Sequence, residues 1–156
     1  MRAYRDIATV AGAQMVCFSV LTYLEPSLFL IHMYLSVVYI AILVMLFYRE
    51  DRWAYMIGLL ASLVWLVMGY ASGLFTRHIA RLFAAETADP VARIVGLLAI
   101  VTTLLAVLMV VFCSRHWVKE YAGLGKARST FIVSLGIVVV YYGILLRWFW
   151  DFMPND

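Results

Sequence analysis

The residues of this chain that could take part in chemistry are histidines and charged side chains near the ends of apolar runs. His32 lies about one turn inside such a run, and an ionisable residue in a membrane helix usually faces protein or water. A histidine with arginines and tyrosines beside it could bind a quinone head group, a lipid phosphate or a haem edge. The alternative is a satisfied interfacial histidine among snorkelling arginines. The candidate ligand-binding residues are His32, Arg77, His78, Arg147, Asp151 and Glu25.

Metal and catalytic motifs are the next chemistry to consider. Cys113 and His116 are three residues apart, but two ligands make a poor metal site, and His32 with His78 is badly placed to hold a haem because His78 lies beyond the helix end. The sequence has no GxSxG, and no histidine stands where it would activate a buried serine. We therefore predict no metal and no cofactor, assign no catalytic residue, and favour a protein without enzymatic activity.

Composition indicates the solvent in which the chain folds. Of its 156 residues, 66% are hydrophobic and 13% are charged, whereas an ordinary soluble domain has about 25% charged residues. A water-soluble fold of this size could not cover so much apolar side chain, so we expect an integral membrane protein. The net charge of +3 is spread over short clusters, which does not indicate a nucleic-acid partner.

Apolar runs divide the chain into membrane spans. Each is close to the roughly 20 residues that a helix needs to cross a bilayer, and Pro26 and Pro90 are suited to the first turns of the second and fourth helices. We predict an all-α fold, a five-transmembrane-helix bundle forming one membrane domain over residues 1–156. The predicted helices cover residues 7–24, 28–48, 54–75, 91–113 and 130–150.

Two polar connections separate the last three runs. Residues 76–86 place Arg77 and Arg81 on one side of a short helix and apolar residues on another, a pattern typical of a segment lying at the membrane interface. Residues 114–129 are expected to form a cytoplasmic loop, which Gly123 and Gly125 keep from being helical.

The distribution of basic residues predicts the orientation. Five spans place eight of the twelve lysines and arginines on the side of the N-terminus. Because basic residues favour the cytoplasm, we expect the N-terminus inside and the C-terminus outside. If residues 7–24 did not span, the division would be six against six. The eight are Arg2, Arg5, Arg49, Arg52, Arg115, Lys119, Lys126 and Arg128, and the other four are Arg77, Arg81, Arg93 and Arg147.

Small residues recur along the third and fifth runs. Such residues let a neighbouring helix backbone approach closely, so they could form a seam for a partner protein or pack against helices of the same chain. On the fifth run, Gly136 and Gly143 are seven residues apart and therefore lie on one side. The seam of the third run consists of Ala54, Gly58, Ser62, Gly69 and Gly73.

Function is predicted from architecture, because no motif specifies it. In size and helix number the chain resembles small bacterial inner-membrane proteins, including accessory subunits of respiratory and transport complexes. We expect a non-catalytic subunit or interaction partner in a bacterial cytoplasmic membrane, contacting lipids and either other membrane proteins or a second copy. The alternatives are a lipid- or quinone-binding enzyme or sensor with an outer-leaflet site, and a small oligomeric transporter.

Overall fold

The computed structural model describes residues 3–73, 76, 80, 90–121, 125 and 127–149. These residues form five long helices and contain no strand. All five helices are long and apolar enough to cross a membrane, in agreement with the five predicted spans. The helices are α1 (Ala3–Leu24), α2 (Phe29–Phe47), α3 (Asp51–Ala71), α4 (Pro90–Glu120) and α5 (Ala127–Phe149).

The helix boundaries follow the proline signals and depart from the apolar pattern at several ends. The helices α1, α3 and α5 each begin three or four residues before their predicted starts, and α3 ends at Ala71 rather than at residue 75. Pro26 begins a short 3₁₀ turn, Pro26–Leu28, that leads into α2, and Pro90 begins α4. The predicted loop 114–129 is wrong at both ends, because α4 continues to Glu120 and α5 already begins at Ala127. Polar side chains such as Lys119 and Glu120 are good helix formers, so the end of an apolar run is not the end of a helix.

Four helices form a closed ring. α1 packs on α2 and α4, and α3 packs on the same two helices from the other side. Half of the α3 span is buried, against about a third or less of every other helix. α3 is the most buried helix because it also carries α5, which packs on it from outside the ring and touches α2 over a shorter stretch.

The core of the ring is built from residues at helical spacing. On α1, Ile7, Ala11, Phe18 and Leu21 are almost fully buried, and this repeat of three and four residues is the inward stripe of a helix. The rings of Phe18 and Tyr39 pack together at 5.9 Å, which joins α1 to α2. The outside of the bundle carries a large apolar surface, as a protein solvated by lipid requires.

α5 is the peripheral helix and buries only a narrow stripe. Its fully buried residues lie four or three positions apart, and most other side chains of the helix are exposed. In its C-terminal half, the Tyr142 hydroxyl donates to the Ala61 carbonyl of α3 at 3.0 Å, and the Tyr34 and Tyr141 rings stack at 4.4 Å. The buried stripe is Thr130, Ser134, Val138, Tyr142 and Leu145.

The bundle has two chemically different ends. The basic end is where α1, α3 and α5 begin and α2 and α4 end, and the histidine end is the opposite one, next to His32. Contacts between helices agree with this alternation, since Tyr55 near the start of α3 lies against His116 near the end of α4. The placement of the basic end in the cytoplasm stays a prediction.

Candidate functional site

The histidine end brings together two of the predicted ligand-binding residues. Glu25 lies in the turn before Pro26, and His32 lies in the first turn of α2. The His32 Nε2 atom is 3.9 Å from the Glu25 Oε2 atom, and the His32 ring stacks on Phe18 with ring centres 6.3 Å apart. His32 is only 8% exposed, so its ring faces protein rather than lipid.

The other predicted ligands do not complete this pair. Arg147 is exposed on the side of α5 that faces away from the ring. Tyr23 and Tyr70, which the sequence places at the level of His32, are more than four-fifths exposed, as residues of an interfacial aromatic belt are. The remaining candidates, Arg77, His78 and Asp151, lie outside the described residues, so the Arg147–Asp151 pair stays a prediction.

The small residues of α3 face the ring of this chain. Ala54 and Ser62 are fully buried, and Gly58 and Gly69 are buried too. A Cβ atom on Gly58 would lie 3.0 Å from the Cys113 Sγ atom of α4 and 3.5 Å from the Ile42 Cδ1 atom of α2. Gly58 therefore allows both α2 and α4 to approach α3 closely. Gly73 has a φ of 65°, a conformation that glycine adopts readily after a helix end.

The ring encloses a polar cluster that the sequence did not predict. Gln14, Tyr39, Ser62 and Thr102 come from its four helices, and all are at most 2% exposed. The Gln14 Nε2 atom donates to the Thr102 carbonyl at 3.2 Å, joining α1 to α4. The Thr102 hydroxyl donates to the Ala99 carbonyl of its own helix. The spacing of Gln14 from the buried residues of α1 is the signal that could have marked it as inward-facing.

Several atoms of this cluster are unpartnered. The Tyr39 hydroxyl lies beside the side chains of Ser62 and Gln14. Within the part of the chain that the structure describes, Gln14 Oε1, Tyr39 Oη and Ser62 Oγ make no hydrogen bond. All of these groups are uncharged at neutral pH, so the cluster can link helices by hydrogen bonds but supplies no carboxylate or cation.

The basic end is closed by aromatic packing around Tyr55. The Tyr55 ring lies 5.7 Å from His116 and 6.0 Å from Tyr121, and the His116 Nδ1 atom is 3.7 Å from the Glu120 Oε1 atom. Burial raises the pKa of the Tyr121 phenol, and the nearby Asp51 and Glu120 carboxylates raise that pKa further. Through its contact with Tyr55, Tyr121 joins the start of α3 to the end of α4.

The polar groups described above join parts of this chain to one another. Across the described residues, no group of three or more histidine, cysteine or acidic side chains could hold a metal ion. The ionisable pair at the histidine end and the polar cluster inside the ring both join helices of the same chain. Comparison with protein-family models, curated proteins and solved structures finds no match to this chain.

Proposed function

We propose that this protein is a non-catalytic membrane subunit that binds a transmembrane helix of a partner protein through the outer side of α5. The observation that carries the proposal is the position of Gly136 and Gly143. At 100° per residue both lie on the side of α5 opposite its buried stripe, and a Cβ atom on either would meet no other atom within 4 Å.

Glycines on an outward side have a physical consequence. Small residues are useful in membrane helices because they let a second backbone approach closely. The small residues of α3 already serve this purpose inside the ring, against Cys113 and Ile42. The glycines of α5 leave room for a helix of another protein. An apolar partner helix fits there because the neighbouring Val139 and Val140 are apolar and exposed.

The test is to enlarge these glycines and follow assembly. We expect Gly136→Leu and Gly143→Leu each to weaken binding of the partner by roughly tenfold, since overpacking a close helix contact costs about 1–3 kcal/mol. Protein extracted gently from its own membrane is examined by blue-native electrophoresis and native mass spectrometry. Mass spectrometry also distinguishes a different polypeptide from a second copy of this chain.

The matched control is Gly12→Leu on α1, where a Cβ atom also meets nothing within 4 Å. This variant should assemble like the wild type, because it makes the same substitution on another helix. Wild-type assembly of both α5 variants would refute the proposal. Substitutions at Gly69 or Gly73 are poorer tests, because Gly69 is buried and the positive φ of Gly73 strains any larger residue.

A further inference from the structure

A groove at the basic end is not used by any contact described above. It has a volume of about 350 Å³, toward the lower end of the roughly 300–1,000 Å³ that is usual for ligand pockets. Its wall is apolar except for one arginine. The lining residues are Met56, Trp117, Ala127, Arg128, Phe131 and Ile132.

The groove follows from how α5 is attached. α5 packs on α3, whereas α4 packs on α3 and α1, so α4 and α5 stand on either side of α3 at this end. Each of these three helices contributes to the lining of the groove: Met56 from α3, Trp117 from α4 and Phe131 from α5. Phe131 and Ile132 are 44% and 66% exposed, which leaves the groove open toward the hydrocarbon around the bundle.

The groove changes from polar to apolar along its length. Arg128 lies in the first turn of α5, and Phe131 and Ile132 follow about one turn deeper. Trp117 lies in the last turns of α4, beyond the apolar run, where tryptophan commonly marks the boundary between head groups and hydrocarbon. A phospholipid has the same order of groups, with a phosphate at the boundary and acyl chains below it.

The charge around the groove favours an anionic head group. Arg128 is a cation in the lining, and none of the lining residues is acidic. Basic pockets between helices at a membrane surface bind acidic lipids. Arg128 stands at the N-terminus of α5, and the first turn of that helix has no acidic residue. Because the helix dipole is positive there, a bound anion would be stabilised by both the dipole and the guanidinium.

We propose that this groove binds one anionic phospholipid, with its phosphate on Arg128 and an acyl chain along Met56, Phe131 and Ile132. The site takes its lipid from the leaflet at the basic end. It does not depend on the docking of a partner at Gly136 and Gly143, which lie nearer the middle and the far half of α5.

Native mass spectrometry of the full chain in a maltoside detergent tests this proposal. The protein is titrated with phosphatidylglycerol or with phosphatidylcholine of the same acyl chains, and the bound fraction is measured. We expect one phosphatidylglycerol to bind more tightly than phosphatidylcholine. Arg128→Gln should lower phosphatidylglycerol affinity about fivefold and leave phosphatidylcholine unaffected, while Arg115→Gln, which removes a cation outside the groove, should change neither.

A second pair of variants tests the acyl-chain part of the groove. Ile132→Trp should fill it and reduce binding of both lipids, whereas Ile137→Trp places the same side chain on an exposed part of α5 away from the groove. Equal binding of the two lipids by the wild type, or equal loss in Arg128→Gln and Arg115→Gln, would mean that only non-specific surface lipid is present. Loss with Ile137→Trp equal to that with Ile132→Trp would likewise overturn the proposal.

Discussion

Two buried tyrosines differ in whether their hydroxyl groups are bonded. Tyr142 donates to the Ala61 carbonyl at 3.0 Å, whereas the Tyr39 hydroxyl makes no hydrogen bond among the described residues. A hydrogen bond between membrane helices is worth about 0.6 kcal/mol on average and about 1.7 at most. We expect Tyr142→Phe to lower the free energy of unfolding by about 1 kcal/mol and Tyr39→Phe to leave it unchanged or higher.

Reversible unfolding in mixed micelles, followed by circular dichroism, measures this difference. The two substitutions remove the same atom from side chains that are 3% and 2% exposed, so each serves as the control for the other. A loss for Tyr39→Phe equal to that for Tyr142→Phe would show that the Tyr39 hydroxyl is bonded in the membrane.

At the residue scale, the sequence predicted neighbours in the chain better than partners across helices. Glu25 and His32 could be placed at one end because a turn separates them by only seven positions, and their side chains meet at 3.9 Å. Gln14 and Thr102 are 88 residues apart. Their contact depends on which faces of α1 and α4 pack together. The apolar pattern does not specify those faces when a helix is apolar on nearly every side.

At the element scale, the approach of α3 to α4 depends on the absence of a side chain at Gly58. An added Cβ atom would lie 3.0 Å from Cys113 Sγ, closer than packed atoms normally come. We expect Gly58→Ala to destabilise the fold by about 1–3 kcal/mol and this loss to shrink in a Cys113→Ala background. The same unfolding measurement, arranged as a double-mutant cycle, gives the coupling between the two residues.

Gly136→Ala is the matched control for this cycle. Its Cβ atom would meet nothing within 4 Å, and alanine favours a helix more than glycine does, so stability should be unchanged or higher. If Gly58→Ala loses the same amount of stability with and without the Cys113 sulfur, the contact does not set the distance between α3 and α4.

The elements themselves were predictable because length and hydropathy specify them. The five spans and the proline starts follow from local chemistry, and they match the described helices. The end of α4 was missed because the apolar run ends before Arg115, whereas the helix continues through charged residues that favour a helix, Arg115, Lys119 and Glu120. The packing of α5 outside the ring was not predictable either, since its buried stripe includes Thr130 and Ser134 while most of its exposed side chains are apolar.

At the scale of the whole molecule, the prediction is that five helices cross the membrane, which would place the two termini on opposite sides. The sequence predicts the side of each terminus, because five spans would assign eight of the twelve lysines and arginines to the side of the N-terminus and basic residues favour the cytoplasm. The proposal that α5 binds a partner helix depends on this topology. The outward side of α5 can meet a transmembrane helix of a partner only if α5 itself crosses the bilayer.

The location of the two termini tests the five-span topology most directly. Two reporters are used in bacterial cells, one active only in the cytoplasm and one active only after export. Each reporter is fused to the N-terminus in one variant and to the C-terminus in another. We predict a cytoplasmic N-terminus and an exported C-terminus. Both termini on the same side would require an even number of spans and would contradict the topology on which the docking of α5 rests.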